Sequence, residues 1–193
     1  MRTATILTSL LLLGVPTWVG AQAARATSTA PEVFAATAQA KNAAGAISGT
    51  LEVQVTRYSP DFDRTTVETA LRQGGYPKFL TALRNAPSVG QVVVAGGPPY
   101  LIRYAREKVE AGTRTITLVT EKPVFFVGAG RAEVKPRAGY EVAVIQILLD
   151  GKGQGSGTMA GAARVRPDGD GGVLLDDYAD APITLTNVTR KPL

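Results

Sequence analysis

The one cluster of side chains dense enough to suggest metal chemistry is Asp168, Asp170, Asp176, Asp177 and Asp180. Calcium loops need oxygen ligands at set positions, Gly at the sixth and Glu at the twelfth. Counted from Asp168, the sixth residue is Val173 and the twelfth is Ala179, so the register fails. Solvated carboxylates in hairpin turns are the better reading, because Asp bonds its own backbone in turns. No metal site and no cofactor are expected. Gly151-Lys152-Gly153-Gln154-Gly155-Ser156-Gly157 has the composition of a phosphate loop, but it lacks Lys-Ser or Lys-Thr after the second Gly, and a strand pattern follows where a helix is needed. It reads as a hairpin, as does the short Gly128-Ala129-Gly130 run. Asn187-Val188-Thr189 matches a glycosylation sequon and carries little weight on a terminal strand.

The chain has neither histidine nor cysteine. That excludes Ser-His-Asp and Cys-His nucleophilic catalysis, and most zinc sites. Any catalysis would rest on carboxylates, Lys, Tyr or Ser. The weak ligand-binding candidates are Arg103, Tyr104 and Arg106. On a regular strand Arg103 and Ala105 share one face, and Tyr104 and Arg106 the other. Tyr104 beside Arg106 would suit an anionic ligand, although an exposed cross-strand pair is the commoner role.

These residues need a scaffold, and 140–190 shows its kind. Four apolar runs are punctuated by Asp150-Gly151, Asp168-Gly169-Asp170-Gly171-Gly172 and Asp180-Ala181-Pro182, which is a strand signature. The first run is apolar on both faces, Val142 and Val144 against Ala143, Ile145 and Ile147, so it is expected to be covered on both sides. Small residues around Gly161 suggest close approach of another element. Tightly joined strands are expected to pair in sequence order. Leu51, Val53 and Val55 make an earlier strand buried on one face, and further strands are expected at Val92–Val94, Tyr100–Lys108, Arg114–Glu121 and, on an edge, Pro123–Val127. Residues 128–139 form the longest irregular link.

Between the first strand and the next, Ser59-Pro60 offers a capping residue and a first-turn proline. Val67, Ala70 and Leu71 stripe one helix, which Gly74-Gly75 ends; Pro77 starts another, with Tyr76, Phe79, Leu80 and Leu83 at helical spacing. The expected fold is α+β: a mainly antiparallel sheet of seven or eight strands, curled into a barrel or sandwich, with a short helical pair after the first strand.

Residues 1–23 read as a signal peptide, with Arg2, an apolar Ile6–Val15 core and Ala21-Gln22-Ala23 for cleavage. Pro16 and the short core disfavour a membrane span, so no stable membrane anchor is expected. Residues 24–46 are rich in Ala, Thr and Ser and are expected to be a flexible segment, with at most a helical turn near Val33–Ala40. Residues 47–193 then form one β-rich domain. The mature chain has 193 − 23 = 170 residues, enough to bury roughly 70% of its unfolded surface without disulfides. The formal charge of +5 falls to +4 without Arg2. Its cations are scattered and form no basic stripe, so nucleic acid is not an expected partner.

The stretches RYSPDFDRTTVETALRQGGYPKFLTALRNAPSVG, YLIRYAR and APITLTNV resemble a family of uncharacterised secreted bacterial proteins, in which Trp usually stands where this chain has Tyr58. The resemblance spans most of the mature chain. It implies export and a single domain and transfers no catalytic residue. The sequence therefore points to a secreted or periplasmic, non-catalytic binding or interaction module, its partner an envelope component or a small ligand. The alternatives are a histidine-independent hydrolase or isomerase, and a structural envelope-associated protein.

Overall fold

The computed structural model describes residues 30–42, 45–125 and 137–191. The expected signal peptide, and most of the 128–139 link, lie outside them. Among the described residues the order is β1 (Glu32–Asn42), β2 (Gly45–Val55), α1 (Asp61–Asn85), β3 (Gly90–Val94), β4 (Tyr100–Glu110), β5 (Thr113–Thr120), β6 (Val142–Leu149), β7 (Gln154–Pro167), β8 (Val173–Tyr178) and β9 (Ile183–Lys191). The sheet order is β6-β5-β4-β3-β2-β1-β9-β7-β8, and β6 also pairs with β7. Eight antiparallel strands therefore close into a barrel, with β8 attached outside the ring to the C-terminal half of β7. Closure removes the edges that an open sheet would expose.

Two expectations about order and count are corrected. The ninth strand comes from 32–42, which reads as flexible in sequence. Phe34, Ala36 and Ala38 of β1 alternate inward and are buried, while Val33, Ala35 and Thr37 are half-buried. Two of the three inward residues are alanines, so the hydrophobic contrast is too low to announce a strand. β8 and β9 are not paired with each other; β9 instead lies between β1 and β7 and closes the ring. Of the expected edge strand at Pro123–Val127, the described part is not a strand. Val124 is buried, and its N–H donates to the Gly161 carbonyl at 2.8 Å.

The expected helical pair is one helix. Asp61–Asn85 is continuous except at Gly75, whose φ of 66° and ψ of −167° break the helical path, with Pro77 just beyond. No loop separates the two arms, so the Gly-Gly stop acts as a sharp bend. Ser59 does not cap the helix. Its hydroxyl accepts from Ala105 N–H at 2.9 Å, and its own N–H donates to the Ala105 carbonyl at 2.9 Å, which ties the helix entrance to β4.

The barrel interior is solid. Phe34, Leu51, Ile102, Ile116, Ile145 and Met159 fill it together with neighbouring aliphatics. A second core lies outside the ring, where Val67, Leu71, Phe79 and Leu83 of α1 meet Tyr104, Val119, Val142, Val144 and Ala163. This explains the two apolar faces of β6: Ala143, Ile145 and Ile147 serve the inner core, Val142 and Val144 the outer. Each fully buried aliphatic side chain contributes about 1.5–3 kcal/mol relative to exposure.

Candidate functional site

Arg103, Tyr104 and Arg106 are near neighbours in sequence and have three different sets of partners. A register shift between Ile102 and Tyr104 makes Arg103 the extra residue of a bulge, so Ile102 and Ala105 both face the inner core. Arg103 therefore does not share the face of Ala105. Its Nε and Nη2 donate to Glu121 Oε2 at 2.9 and 2.6 Å, and its Nη1 donates to the Ala86 carbonyl at 2.9 Å. It fastens the end of α1 to the end of β5. Tyr104 faces outward beneath α1 and is fully buried; its hydroxyl donates to Glu68 Oε1 at 2.8 Å. Burial and the neighbouring Glu68 carboxylate raise the Tyr104 phenol far above its ordinary range. The half-buried Arg106 packs its guanidinium against the backbone of Gly172, in the turn between β7 and β8, where a Cβ would collide with it.

The acidic residues are also dispersed. Asp168 and Asp170 shape the β7–β8 turn, and Asp170 lies 3.4 Å from Lys108 Nζ. Asp177 accepts from the Tyr140 hydroxyl at 2.5 Å, and Arg164 lies 3.3 and 3.4 Å from Asp177 and Asp176. That hydroxyl holds the Asp177 carboxyl below its ordinary range. In the Gly-rich hairpin Asp150 Oδ1 accepts from the N–H groups of Lys152 and Gln154 at 2.8 and 2.9 Å, the self-bonded turn that its sequence suggests.

Sequence reading misses a polar cluster at the end of the barrel where β1 begins and β4 turns into β5. Glu32 is 1% exposed. Arg114 Nη1 and Nη2 donate to its two carboxylate oxygens at 2.9 and 2.5 Å, Tyr58 donates to it at 2.7 Å, and Arg190 Nε lies 2.9 Å away. Arg114 Nε donates to Glu107 Oε1 at 2.7 Å, while Glu107 Oε2 is buried without a hydrogen-bond partner among the described residues. Two carboxylates and two guanidiniums balance. Burial pushes the Glu32 carboxyl up, but hydrogen bonds from Arg114 and Tyr58, with the charges of Arg114 and Arg190, outweigh it and hold the group below its ordinary range. The legible signal was parity: Glu107 and Arg114 sit two residues from inward Ala105 and Ile116, where an apolar side chain is the rule.

The residues missed as a binding surface are on α1. Its two arms line an open groove of about 680 Å³, with Val67 and Ala70 on one arm and Ala82 and Ala86 on the other. Thr66 and Thr81 donate their hydroxyls to the Phe62 and Pro77 carbonyls of the same helix, at 2.9 and 3.2 Å. The hydroxyls are thereby engaged, and the groove is more apolar than its composition. Phe62, on the rim, is 81% exposed. Asp63 and Lys78 are the only charged residues of the lining. No helix among the described residues is long and apolar enough to cross a membrane.

Compared with protein-family models, with curated proteins and with solved structures, the chain matches none.

Proposed function

We propose that this protein is an exported, non-catalytic binding module that seats the apolar part of an amphiphile between the arms of α1. The observation that carries the reading is the groove: an apolar floor of small residues, self-bonded threonines and an exposed Phe62 at the lip. Its volume falls in the range of small-molecule sites, about 300–1,000 Å³. The solid barrel interior supports this placement, because a hollow-barrel ligand has no room there. Lys78 and Asp63 offer one charge of each sign for a polar head.

The test is a titration of the mature chain with dodecanoate, and separately with dodecyltrimethylammonium, followed by amide NMR. Saturable shifts confined to Thr66, Ala70, Lys78 and Ala82 are expected, and Ala82→Arg should abolish them. The stronger of the two ligands reports whether Lys78 or Asp63 takes the head. Shifts spread over the barrel, or none at millimolar ligand, would sink the reading.

A histidine-independent hydrolase or isomerase would have Glu68 and Tyr104 as its obvious acid–base pair. Glu68 of α1 and Tyr104 of β4 are buried where the helix lies on the barrel, so no substrate reaches them while the helix stays in place. That burial supports the binding reading. Export belongs to the same proposal and rests on Arg2, the Ile6–Val15 run and Ala21-Gln22-Ala23. Mass spectrometry of the protein from its native host is expected to find an N-terminus at or near Ala24; an intact Met1 on a cytosolic species would overturn it.

A further inference from the structure

The barrel closes, yet its strands are not covered along their whole length. β2 runs eleven residues, but β3 covers only Leu51–Val55, and the Ala95 N–H reaches one residue further to the Thr50 carbonyl at 2.8 Å. Backbone groups alternate sides along a strand. Since Thr50 points its carbonyl toward the β3 side, Ala46 and Ser48 point theirs the same way. Among the described residues no strand lies there. Gly45, Ile47 and Gly49 face β1, opposite Asn42, Ala40 and Ala38.

Natural sheets guard open edges with charge, proline or bulges. β8, open on one side, is short and carries Asp176 and Asp177, and β4, which β3 pairs only over Tyr100–Ile102, carries Arg106, Glu107, Lys108 and Glu110 beyond that pairing. The Gly45-Ala46-Ile47-Ser48-Gly49 edge carries none of these guards. It is also self-complementary. Two copies laid antiparallel about a two-fold axis at Ile47 match Ala46 with Ser48 and Gly45 with Gly49. Each Ala46–Ser48 pair then exchanges two backbone hydrogen bonds, and the small side chains allow close approach. Ile47, only partly buried on the inner core, faces its own copy.

We propose that Gly45–Gly49 of β2 pairs with the same segment of a second copy, forming a continuous sheet across a two-fold dimer. The interface is isologous, so it closes at two subunits. It is short, and the dimer is therefore transient and dependent on concentration. It is independent of the groove on α1.

The chain lacks cysteine, so a single introduced thiol reports the register. Directly opposed residues of a non-hydrogen-bonded antiparallel pair have Cα atoms about 4.5 Å apart, within disulfide range. Ile47→Cys is expected to form a disulfide dimer in a glutathione redox buffer. Gly49→Cys is not, because the two copies of residue 49 lie four residues apart in this register. Ser48→Pro removes an outward N–H, leaves the β1 ladder intact and should abolish cross-linking in the Ile47→Cys background, with circular dichroism unchanged. Sedimentation of the unsubstituted mature chain should show its mass rising with concentration toward twice the monomer value, and Ser48→Pro should hold it at the monomer. Equal cross-linking at 47 and 49, a dimer that survives Ser48→Pro, or a monomer at every concentration each overturns the proposal. A mass that rises only when another protein is added would assign the edge to a foreign strand and overturn it too.

Discussion

Tyr104 and Glu68, thirty-six residues apart, meet through a 2.8 Å hydrogen bond sealed between α1 and the outer face of β4. Glu68 is 5% exposed, so its side chain relies on partners inside the protein, and this hydroxyl is one of them. Tyr104→Phe keeps the ring and removes the donor. The expected loss is about 1–3 kcal/mol, the cost of leaving a buried acceptor unsatisfied. Adding Glu68→Leu should recover part of that loss, since the polar partner is gone as well. Urea titrations of both single variants and the double would measure it. Additive losses would mean that the bond contributes nothing to stability.

The Glu32 cluster predicts acid sensitivity. The folded-state pKa of Glu32 lies below its unfolded value of about 4.5. Such a group contributes stability that is fully present above the unfolded pKa and is lost as pH falls through the folded one. Below pH 4.5 the protein should therefore lose stability progressively. Glu32→Gln should flatten that part of the profile while costing about 3–5 kcal/mol at neutral pH, because Arg114 and Arg190 lose a buried partner. Thermal melts from pH 3 to pH 7 would check both. An acid limb as steep in Glu32→Gln as in the parent would rule out this carboxylate as its source.

Legibility in the sequence followed contrast between faces. β2, β5 and β6 were readable because Leu51 and Val53, Ile116 and Leu118, and Ile145 and Ile147 alternate cleanly or fill both faces. β1 was not, because alanine serves as its inward residue. Bulges defeated strict parity. On a regular strand Asn187 would share the face of Ile183 and Leu185, but at φ 51° it interrupts β9 and turns Val188 inward beside Leu185. The same effect separated Arg103 from Ala105. The groove was hidden for another reason: its residues belong to two arms whose relation depends on the φ of Gly75, which composition cannot supply.

The two faces of the second helical arm give a graded test. Leu83 is fully buried in the outer core, whereas Leu80 is half-buried at its margin. Leu83→Ala is expected to cost about 2–5 kcal/mol, and Leu80→Ala clearly less. Denaturation midpoints at unchanged slope would separate them. Equal, small losses at both positions would show that α1 is an ornament on the barrel and would remove the rigid floor that the groove requires.

Gly161 marks where β7 must stay bare. A Cβ there would collide with the carbonyl oxygen of Val124, whose own N–H donates back to the Gly161 carbonyl at 2.8 Å. The colliding atom is backbone, so no rotamer change relieves it. Gly161→Ala should push the 123–125 segment off the barrel and cost about 1–3 kcal/mol, the usual range for overpacking. Gly151→Ala is the matched control, because nothing lies within 4 Å of its added Cβ; it should stay within about 0.5 kcal/mol of the parent. Hydrogen exchange adds a local readout. The Val124 amide is expected to exchange faster in Gly161→Ala, while the β6 amides bonded to β5 keep their protection. Unchanged exchange at Val124 would place the strain elsewhere and refute the contact as the reason for glycine.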